Sequence, residues 1–237
     1  MNNSIIDQIF RTGVVLLFII LAISCEKVKN LNNDYTGQVD TISDIEGNTY
    51  KTIGIGSQIW MAENLRVTRL NDGTIIPEEI NDSIWVKLIS PAVCWYYNDS
   101  ISYQQIYGPL YNFYVVNTGL LCPIGWHVPA RSEWETLANF VGGEKIAGGK
   151  LKQSDGSHWN EPNPCYLNNY QFMALPAGCR RQYDGEFRDI GDIGYWWTST
   201  PDDYFTAECQ AMLHDDTSLS RSIVNKKVGF SIRCIKD

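Results

Sequence analysis

Alternating apolar and polar residues predict β-strands in separate parts of the chain. Residues 46–62 carry two β-like runs on either side of Gly56 and Ser57, which is the pattern of a hairpin. Three further strands are predicted toward the end of the chain, at residues 195–199, 206–213 and 228–234. Polar turn residues separate them, so this half of the chain is expected to be rich in antiparallel sheet.

A helical pattern is clearest at residues 131–141, where apolar residues recur on one face. Ser132 and Glu135 have the spacing of a capping box at its start, and a glycine pair follows its end. A shorter helix is predicted at 109–116, with a proline in the first turn. Helices and strands first, followed by a strand-rich end, predict an α+β fold.

One globular domain is expected at residues 39–237, because a chain of that length buries a single substantial core. The residues before it, 25–38, contain few apolar side chains and many Asn and charged ones. Such a segment does not bury enough surface to fold alone. It is therefore predicted to be a tether.

The start of the chain has the layout of an export signal. Arg11 precedes an apolar run of about a dozen residues that ends in Ser24 and Cys25. A bilayer-spanning helix needs roughly 20 apolar residues, so a cleaved signal peptide at residues 1–24 is favoured over an uncleaved anchor. Residues 21–25 also resemble a bacterial lipobox. On that basis Cys25 would be acylated and would hold the protein on a membrane through its N-terminal lipid.

Charge and cysteine content narrow the classes of function. A net charge of -8 and a pI near 4.9 argue against nucleic acid as a partner, because phosphates require a basic face. Beyond Cys25 the chain has six cysteines, at positions 94, 122, 165, 179, 209 and 234. An even number in an exported chain permits disulfides, but the spacing does not choose among the pairings. Free, buried thiols are the alternative for Cys94 and Cys165.

Residues with catalytic or metal-binding potential are scattered. His127, His158 and His214 have no metal-ligand spacing, and His127 is expected to be a packed strand residue with its ring nitrogens hydrogen-bonded. Two carboxylate pairs, Asp189 with Asp192 and Asp202 with Asp203, are expected in solvated turns. No catalytic residue, metal or cofactor is assigned.

The tripeptide Glu161-Pro162-Asn163 matches the one with which mannose-type C-type lectins bind calcium and sugar hydroxyls. Those lectins also carry a Trp-Asn-Asp triplet downstream, which this chain does not have after residue 163. Calcium-dependent sugar binding at this tripeptide is therefore not favoured.

Seven ordered blocks resemble one known family. They are Trp60-Met61-Ala62-Glu63-Asn64-Leu65, residues 107–114, Cys122-Pro123-Ile124-Gly125-Trp126-His127-Val128-Pro129, Glu133-Trp134, Leu175-Pro176-Ala177-Gly178, residues 196–200 and Gly229-Phe230-Ser231-Ile232-Arg233-Cys234. Together they closely resemble the Fibrobacter succinogenes major paralogous domain, found in exported bacterial proteins and lipoproteins, over roughly residues 40–237. The resemblance implies a disulfide between Cys122 and Cys234. A second bridge, Cys179 to Cys209, is a guess specific to this chain.

The end of the chain has a second, more distant resemblance. Residues 197–200, Ala207 and the closing 229–233 segment look like the formylglycine-generating-enzyme type of C-type lectin-like fold. Those enzymes use two nearby redox cysteines, whereas Cys209 and Cys234 are far apart in this sequence. The resemblance therefore implies the fold rather than that activity.

Aromatic residues favour a binding role, since the chain has eight Trp and 13 Tyr. Packing in the core is expected for those in the family blocks: Trp60, Trp126, Trp134, Trp196 and Trp197. Exposure is expected for those in less patterned stretches: Trp159, Tyr166, Tyr170, Tyr183, Phe187, Tyr204 and Phe205. With Arg180, Arg181, Asp184 and Arg188, this second group predicts a mixed aromatic and polar ligand face, the alternative being ordinary solvated loops.

The predicted function is that of an exported cell-envelope lipoprotein anchored by its lipid to the outer membrane, and the sequence leaves open whether the domain faces the periplasm or the cell surface. It is expected to bind an extracellular glycan or protein without catalysis. Its predicted ligand residues are Trp159, Tyr166, Tyr170, Arg180, Tyr183, Phe187 and Tyr204. A structural or adhesin component of a surface assembly is the alternative, and an enzyme on the same scaffold is a weaker one.

Overall fold

A five-stranded sheet brings the first and last strands of the domain together. The computed structural model describes residues 37, 40–154, 157–163, 168 and 170–237. In spatial order the strands are β1 (Asp40–Ser43), β2 (Thr49–Ile55), β3 (Gln58–Met61), β12 (Ile235–Lys236) and β6 (Trp126–His127). All neighbouring pairs in this sheet are antiparallel.

A second sheet and two small ribbons complete the strands of the described residues. The second sheet has the order β11 (Ser220–Asn225), β10 (Thr206–Leu213) and β9 (Ile193–Pro201). The ribbons are β4 (Val93–Cys94) with β5 (Leu110–Tyr111), and β7 (Ala177–Arg180) with β8 (Phe187–Ile190). These pairs are antiparallel as well.

Short helices are distributed between the strands. They are α1 (Asp82–Trp85), α2 (Ser100–Tyr107), α3 (Phe113–Val116), α4 (Arg131–Phe140) and α5 (Glu144–Leu151), with a 3₁₀ turn at Tyr96–Asn98. The domain is therefore a mixed helix-and-sheet structure with antiparallel sheets, which confirms the predicted fold class at that level. In the part of the chain that the structure describes, no helix is both long enough and apolar enough to cross a bilayer.

The β2–β3 hairpin forms as predicted, with Ile53 opposite Trp60 and the turn at Gly56 and Ser57. Gly56 has a φ of +61°, and a Cβ on it would lie 2.8 Å from the ring of Phe140. The turn therefore requires glycine both for its backbone conformation and for the close approach of helix α4.

Helix α4 confirms the predicted helix, but its cap lies earlier than expected. Ala130 is the N-cap residue, and its N–H donates to the Glu133 carboxylate at 2.7 Å. The N–H of Arg131 donates to Thr200 Oγ1 of strand β9 at 3.0 Å. The predicted capping box of Ser132 and Glu135 is wrong, because a side chain from a distant strand supplies the cap instead.

Two other predicted elements differ because of long-range pairing. Residues 109–116 are not one helix, since the Tyr111 N–H donates to the Phe230 carbonyl at 2.8 Å and pulls that part into strand β5. Residues 228–234 are not one strand, since Gly229, Phe230 and Ser231 each bridge to a different partner. Local β-branched and aromatic content does not reveal such pairings.

Tryptophans fill the core as predicted, with Trp60, Trp134, Trp196 and Trp197 at most 1 % exposed. The rings of Trp60 and Trp134 lie 5.0 Å apart. Trp126 differs, being only half-buried. The predicted signal peptide, Cys25 and nearly all of the tether lie outside the described residues, as do Cys165 and Tyr166.

Candidate functional site

The predicted ligand face does not form as a single exposed surface. Arg180 is fully buried between the rings of Trp85 and Phe187, 4.5 and 5.0 Å from their centroids. Its guanidinium donates to the carbonyls of Glu79, Ile80 and Gly185 and to the carboxylate of Asp82. Through these guanidinium hydrogen bonds, Arg180 connects the β7–β8 ribbon to the residues at the start of α1 and just before it. Its predicted exposure is wrong.

Two aromatic residues of the predicted face are also buried. Trp159 is 3 % exposed, and its indole N–H donates to the Ala174 carbonyl at 3.0 Å. The Lys152 ammonium lies 4.8 Å from its ring centroid. Phe187 is 9 % exposed and packs on Tyr96. The prediction that Trp159 and Phe187 are exposed is wrong, because the loop of Trp159 folds back onto the core and Phe187 begins strand β8 with its ring packed inward.

The remaining members of that face lie on separate surfaces. Tyr183 is 65 % exposed under the guanidinium of Arg181, and Tyr204 is 83 % exposed beside Phe205. Tyr170 is half-buried against Phe140. Exposure is thus confirmed for Tyr183, Tyr204 and Phe205, but the structure does not bring Tyr183 into the cleft that Tyr204 lines.

The Glu161-Pro162-Asn163 tripeptide has a cation beside it already. Asn163 is buried, and its Oδ1 lies 3.4 Å from the Lys152 ammonium. Burial lowers the pKa of Lys152 to about 8, so the ammonium is still mostly charged at neutral pH. A calcium ion at the same amide oxygen would be repelled by that charge.

The disulfide bonding matches the pair implied by the family resemblance and not the second bridge predicted for this chain. Cys122 and Cys234 are bonded with their Cα atoms 6.0 Å apart, which confirms the implied pair. Cys94, Cys179 and Cys209 are free and buried, so the guessed Cys179–Cys209 bridge is wrong. Burial raises the pKa of each free thiol to about 12. These three cysteines are therefore poor nucleophiles.

His127 lies in strand β6 with both ring nitrogens bonded, as predicted, although its side chain is 40 % exposed. Nδ1 is 2.6 Å from the Asp237 carboxylate, and Nε2 is 2.9 Å from that of Glu133. Burial lowers the pKa of His127, but the hydrogen bonds to Asp237 and Glu133 outweigh it and the pKa is raised. The folded structure thus stabilises the charged imidazolium more than the unfolded chain does.

A pH-dependent contribution to stability follows. Because the pKa of His127 is higher in the folded than in the unfolded chain, His127 should stabilise the fold fully below about pH 6.5 and lose that effect as pH rises through the folded-state pKa. Urea unfolding of the wild type and of His127→Gln from pH 5 to 9 measures the difference. We expect it to shrink with rising pH, and a pH-independent difference would contradict this account.

A concave site lies between the β2–β3 hairpin, helix α2 and the described residues from Gln153 to Leu175, and we call it the loop pocket. Its volume is about 550 Å³. Its polar lining residues are Lys51, Glu63, Asn64, Gln105, Gln153, His158 and Gln171. Ile53, Ala62, Met173 and Leu175 supply apolar wall. Volume and mixed lining are those of a small-ligand site.

A buried polar network holds the base of the loop pocket. Asn64 accepts from the Trp196 indole at 2.9 Å and from the Arg233 guanidinium at 3.0 Å, and donates to the Tyr107 carbonyl at 2.9 Å. Arg233 is fully buried and also donates to the carbonyls of Phe172 and Met173. The hairpin, helix α2 and the 170–175 segment are thus joined beneath the pocket, which preorganises its wall.

Three described residues near the pocket have an unusual backbone conformation. Asn168, Gln171 and Met173 have φ values of 39°, 55° and 56°, in the left-handed region that residues other than glycine rarely adopt. Such conformations persist where the surrounding structure holds them, and they concentrate at functional sites. Arg233 supplies part of that restraint.

Ionisable groups at the rim are also fixed. The Tyr107 hydroxyl and His158 Nδ1 lie 3.2 Å apart. Burial raises the pKa of Glu63, but hydrogen bonds from Arg66 and from the Lys51 N–H outweigh it, so the pKa is lowered. Glu63 is therefore a carboxylate at neutral pH, suited to accept hydrogen bonds and not to donate a proton.

Sequence reasoning did not find the loop pocket. Its amide side chains come from separate segments and form no local motif. The nearest signal was the family block at residues 60–65, which contains Glu63 and Asn64. Across the described residues, no group of three or more His, Cys, Asp or Glu side chains is arranged to hold a metal ion.

Comparison with known proteins and protein families places this chain in a family. No curated protein and no solved structure matches the chain. The family model of the Fibrobacter succinogenes major domain matches residues 53–236, which is most of the chain and includes the β2–β3 turn, Arg233 and every lining residue of the loop pocket except Lys51. The protein therefore belongs to the Fibrobacter succinogenes major domain family.

Proposed function

We propose that this chain is an exported lipoprotein, acylated at Cys25 and held on the outer membrane, whose domain binds an extracellular glycan without catalysis. The observation that carries the proposal is the loop pocket. It combines a preorganised wall with a lining of amides, one carboxylate and one imidazole.

The lining chemistry suits a neutral, polyhydroxylated ligand. A side-chain amide offers both a donor and an acceptor, which is what a sugar hydroxyl needs. Gln105 and Gln171 are exposed at the mouth of the pocket. Lys51 and Glu63 contribute one charge of each sign, so the lining does not select a charged ligand by net charge.

We also propose a C-type lectin-like arrangement for the fold. Strand β12 pairs with both β3 and β6, so the end of the domain returns to its start, and the Cys122–Cys234 disulfide ties that return. In such an arrangement, the segments that connect the strands tolerate changes of sequence and length without disturbing the sheet. The loop pocket is built partly from the longest of these, between α5 and β7.

Protein binding, as in an adhesin or a surface assembly, is the second candidate. Large aliphatic side chains are exposed on the surface: Ile101 is 96 % exposed, Ile124 is 85 % exposed and Ile89 is 76 % exposed. Burial of such side chains favours association. Catalysis is less favoured because the free thiols described above are buried and have raised pKa values.

A glycan array followed by calorimetry on the purified chain tests glycan binding at the loop pocket. Gln105→Ala should weaken binding of the best array glycan by roughly three- to tenfold, the effect of one lost hydrogen bond. Alanine is favourable in helix α2, so folding should be retained.

Gln104→Ala is the matched control, since Gln104 is the neighbouring glutamine on α2 and does not line the pocket. It should leave affinity unchanged. Equal loss of affinity in both variants would contradict glycan binding at the loop pocket. If no array glycan bound and the protein were recovered in a large envelope complex, the assembly role would be favoured.

A further inference from the structure

A second concave site lies on a different part of the domain, between the β9–β10 turn, helix α3 and the residues after β11. We call it the aromatic cleft. Its volume is about 420 Å³, and its main lining residues are Phe113, Tyr114, Tyr204, Phe205, Lys226 and Lys227. It shares no lining residue with the loop pocket.

Exposed rings form one wall of the aromatic cleft. Tyr204 is 83 % exposed and Phe205 is 62 % exposed, and their centroids lie 4.8 Å apart with the rings nearly perpendicular. Ile89, which is 76 % exposed, extends this wall. Adjacent large apolar side chains left open to water are unusual outside interaction sites.

Two lysines add positive charge to the lining of the cleft. The Lys226 ammonium lies 5.5 Å from the Phe113 ring centroid and donates to the carbonyls of Asp203 and Tyr204. The Lys227 ammonium donates to the Val86 carbonyl at 2.8 Å. Each ammonium has three protons, so these hydrogen bonds leave at least one donor on each lysine for a ligand.

The lining of the aromatic cleft is positively charged, although the chain as a whole carries a net negative charge. Two lysines line the cleft and no carboxylate does, whereas the net charge of the chain is -8. Two acidic residues that precede Tyr204 in the chain, Asp202 and Asp203, form hydrogen bonds within the β9–β10 turn. Both accept from Thr206, and Asp203 also accepts from the Phe205 N–H at 2.7 Å. Charge complementarity therefore points to an anionic ligand.

Recognition in the cleft must come from side chains. The Lys226 N–H donates to the Phe205 carbonyl at 2.9 Å, and the Lys226 carbonyl accepts from the Phe113 N–H at 2.8 Å. The backbone at the centre of the cleft is thus already paired and does not offer an edge for a peptide strand. Side-chain amides of Asn117 and Asn225 and the hydroxyl of Tyr114 lie along the lining.

We propose that the aromatic cleft is a second binding site, specific for a carbohydrate that carries carboxylates, such as a uronic acid chain. Sugar rings stack their C–H faces on Tyr204 and Phe205, the carboxylate pairs with Lys227 and Lys226, and hydroxyls bond to the asparagine amides. This site is independent of glycan binding at the loop pocket.

Calorimetry of the full purified chain with tetragalacturonate tests this site, with the methyl-esterified oligosaccharide as the neutral probe. Tetragalacturonate should bind, with an affinity that falls as salt rises, and the ester should bind at least ~10-fold more weakly. Tyr204→Ala should weaken tetragalacturonate binding by about 5- to 10-fold. Lys227→Gln should weaken it and reduce its salt dependence, and Lys227→Arg should restore both.

Two variants serve as controls. Tyr183→Ala removes an exposed tyrosine outside the cleft, and Gln105→Ala alters the loop pocket, so both should bind tetragalacturonate as the wild type does. Loss of binding on Gln105→Ala would place the acidic sugar in the loop pocket and overturn the second site.

Three other results would overturn the proposal: no binding of tetragalacturonate, equal binding of its ester, or wild-type affinity in Tyr204→Ala. A deca-glutamate peptide is the remaining probe. Binding of that peptide as tight as that of the oligosaccharide, with the same loss on Tyr204→Ala, would assign the cleft to acidic protein segments instead.

Discussion

Replacing both Cys122 and Cys234 by alanine is expected to lower the free energy of unfolding by about 4 kcal/mol. The bond joins residues 112 apart in sequence, so it removes much of the freedom of the unfolded chain. Cys122 and Cys234 are 2 % and 0 % exposed, and alanine avoids burying the hydroxyls that serine would introduce. Urea unfolding monitored by tryptophan fluorescence gives the free energies.

Cys209→Ala is the comparison for this prediction, since Cys209 is a buried but free thiol in strand β10. It removes a sulfur atom without opening a covalent bond, and should cost about 1 kcal/mol. If the double variant lost no more than twice the loss seen in Cys209→Ala, the stabilisation assigned to the disulfide would be wrong.

The Cys122–Cys234 disulfide also links two neighbouring strands of the five-stranded sheet. Cys234 immediately precedes β12, and Cys122 lies shortly before β6, so the disulfide holds together two strands that are neighbours in the five-stranded sheet. Strand β12 has only two residues, which form three residue pairs with strands β3 and β6. Such a short strand gains little from its own ladder and depends on this covalent link.

Elements with strong local patterns were predictable from sequence, and those made by long-range pairing were not. Strand β10 has the predicted limits, 206–213, and the hairpin around Gly56 forms as expected. Strand β5 and the bridges at 229–231 depend on partners far away in sequence, such as Tyr111 with Phe230. A local window does not contain that information.

The site was less predictable than the fold for a related reason. Exposure of Trp159 and Phe187 was inferred from the irregular stretches around them, yet an aromatic side chain gains free energy by packing onto the core, whether it lies in a loop or in a short strand. The burial of Arg180 was missed because three of its four hydrogen-bond partners are backbone carbonyls, which no residue pattern reports. The loop pocket requires side chains from three segments to meet, which only the folded chain establishes.

Gly178→Ala is expected to lower the free energy of unfolding by about 3 kcal/mol or more. Gly178 lies in strand β7 with a φ of +65°, which disfavours any side chain. A Cβ there would lie 2.3 Å from the Arg188 carbonyl oxygen and 2.7 Å from the Ile190 nitrogen, both backbone atoms of strand β8. The β7–β8 ribbon would have to open, and Arg180 would lose its fixed position beside Trp85 and Asp82.

Gly125→Ala separates the two causes, because Gly125 has a φ of +81° but no atom within 4 Å of an added Cβ. It should cost only about 1 kcal/mol, from the backbone conformation alone. Urea unfolding of both variants tests the difference. Equal losses would mean that the ribbon yields to the extra methyl group without strain, and that the tight contact of β7 with β8 does not stabilise this part of the fold.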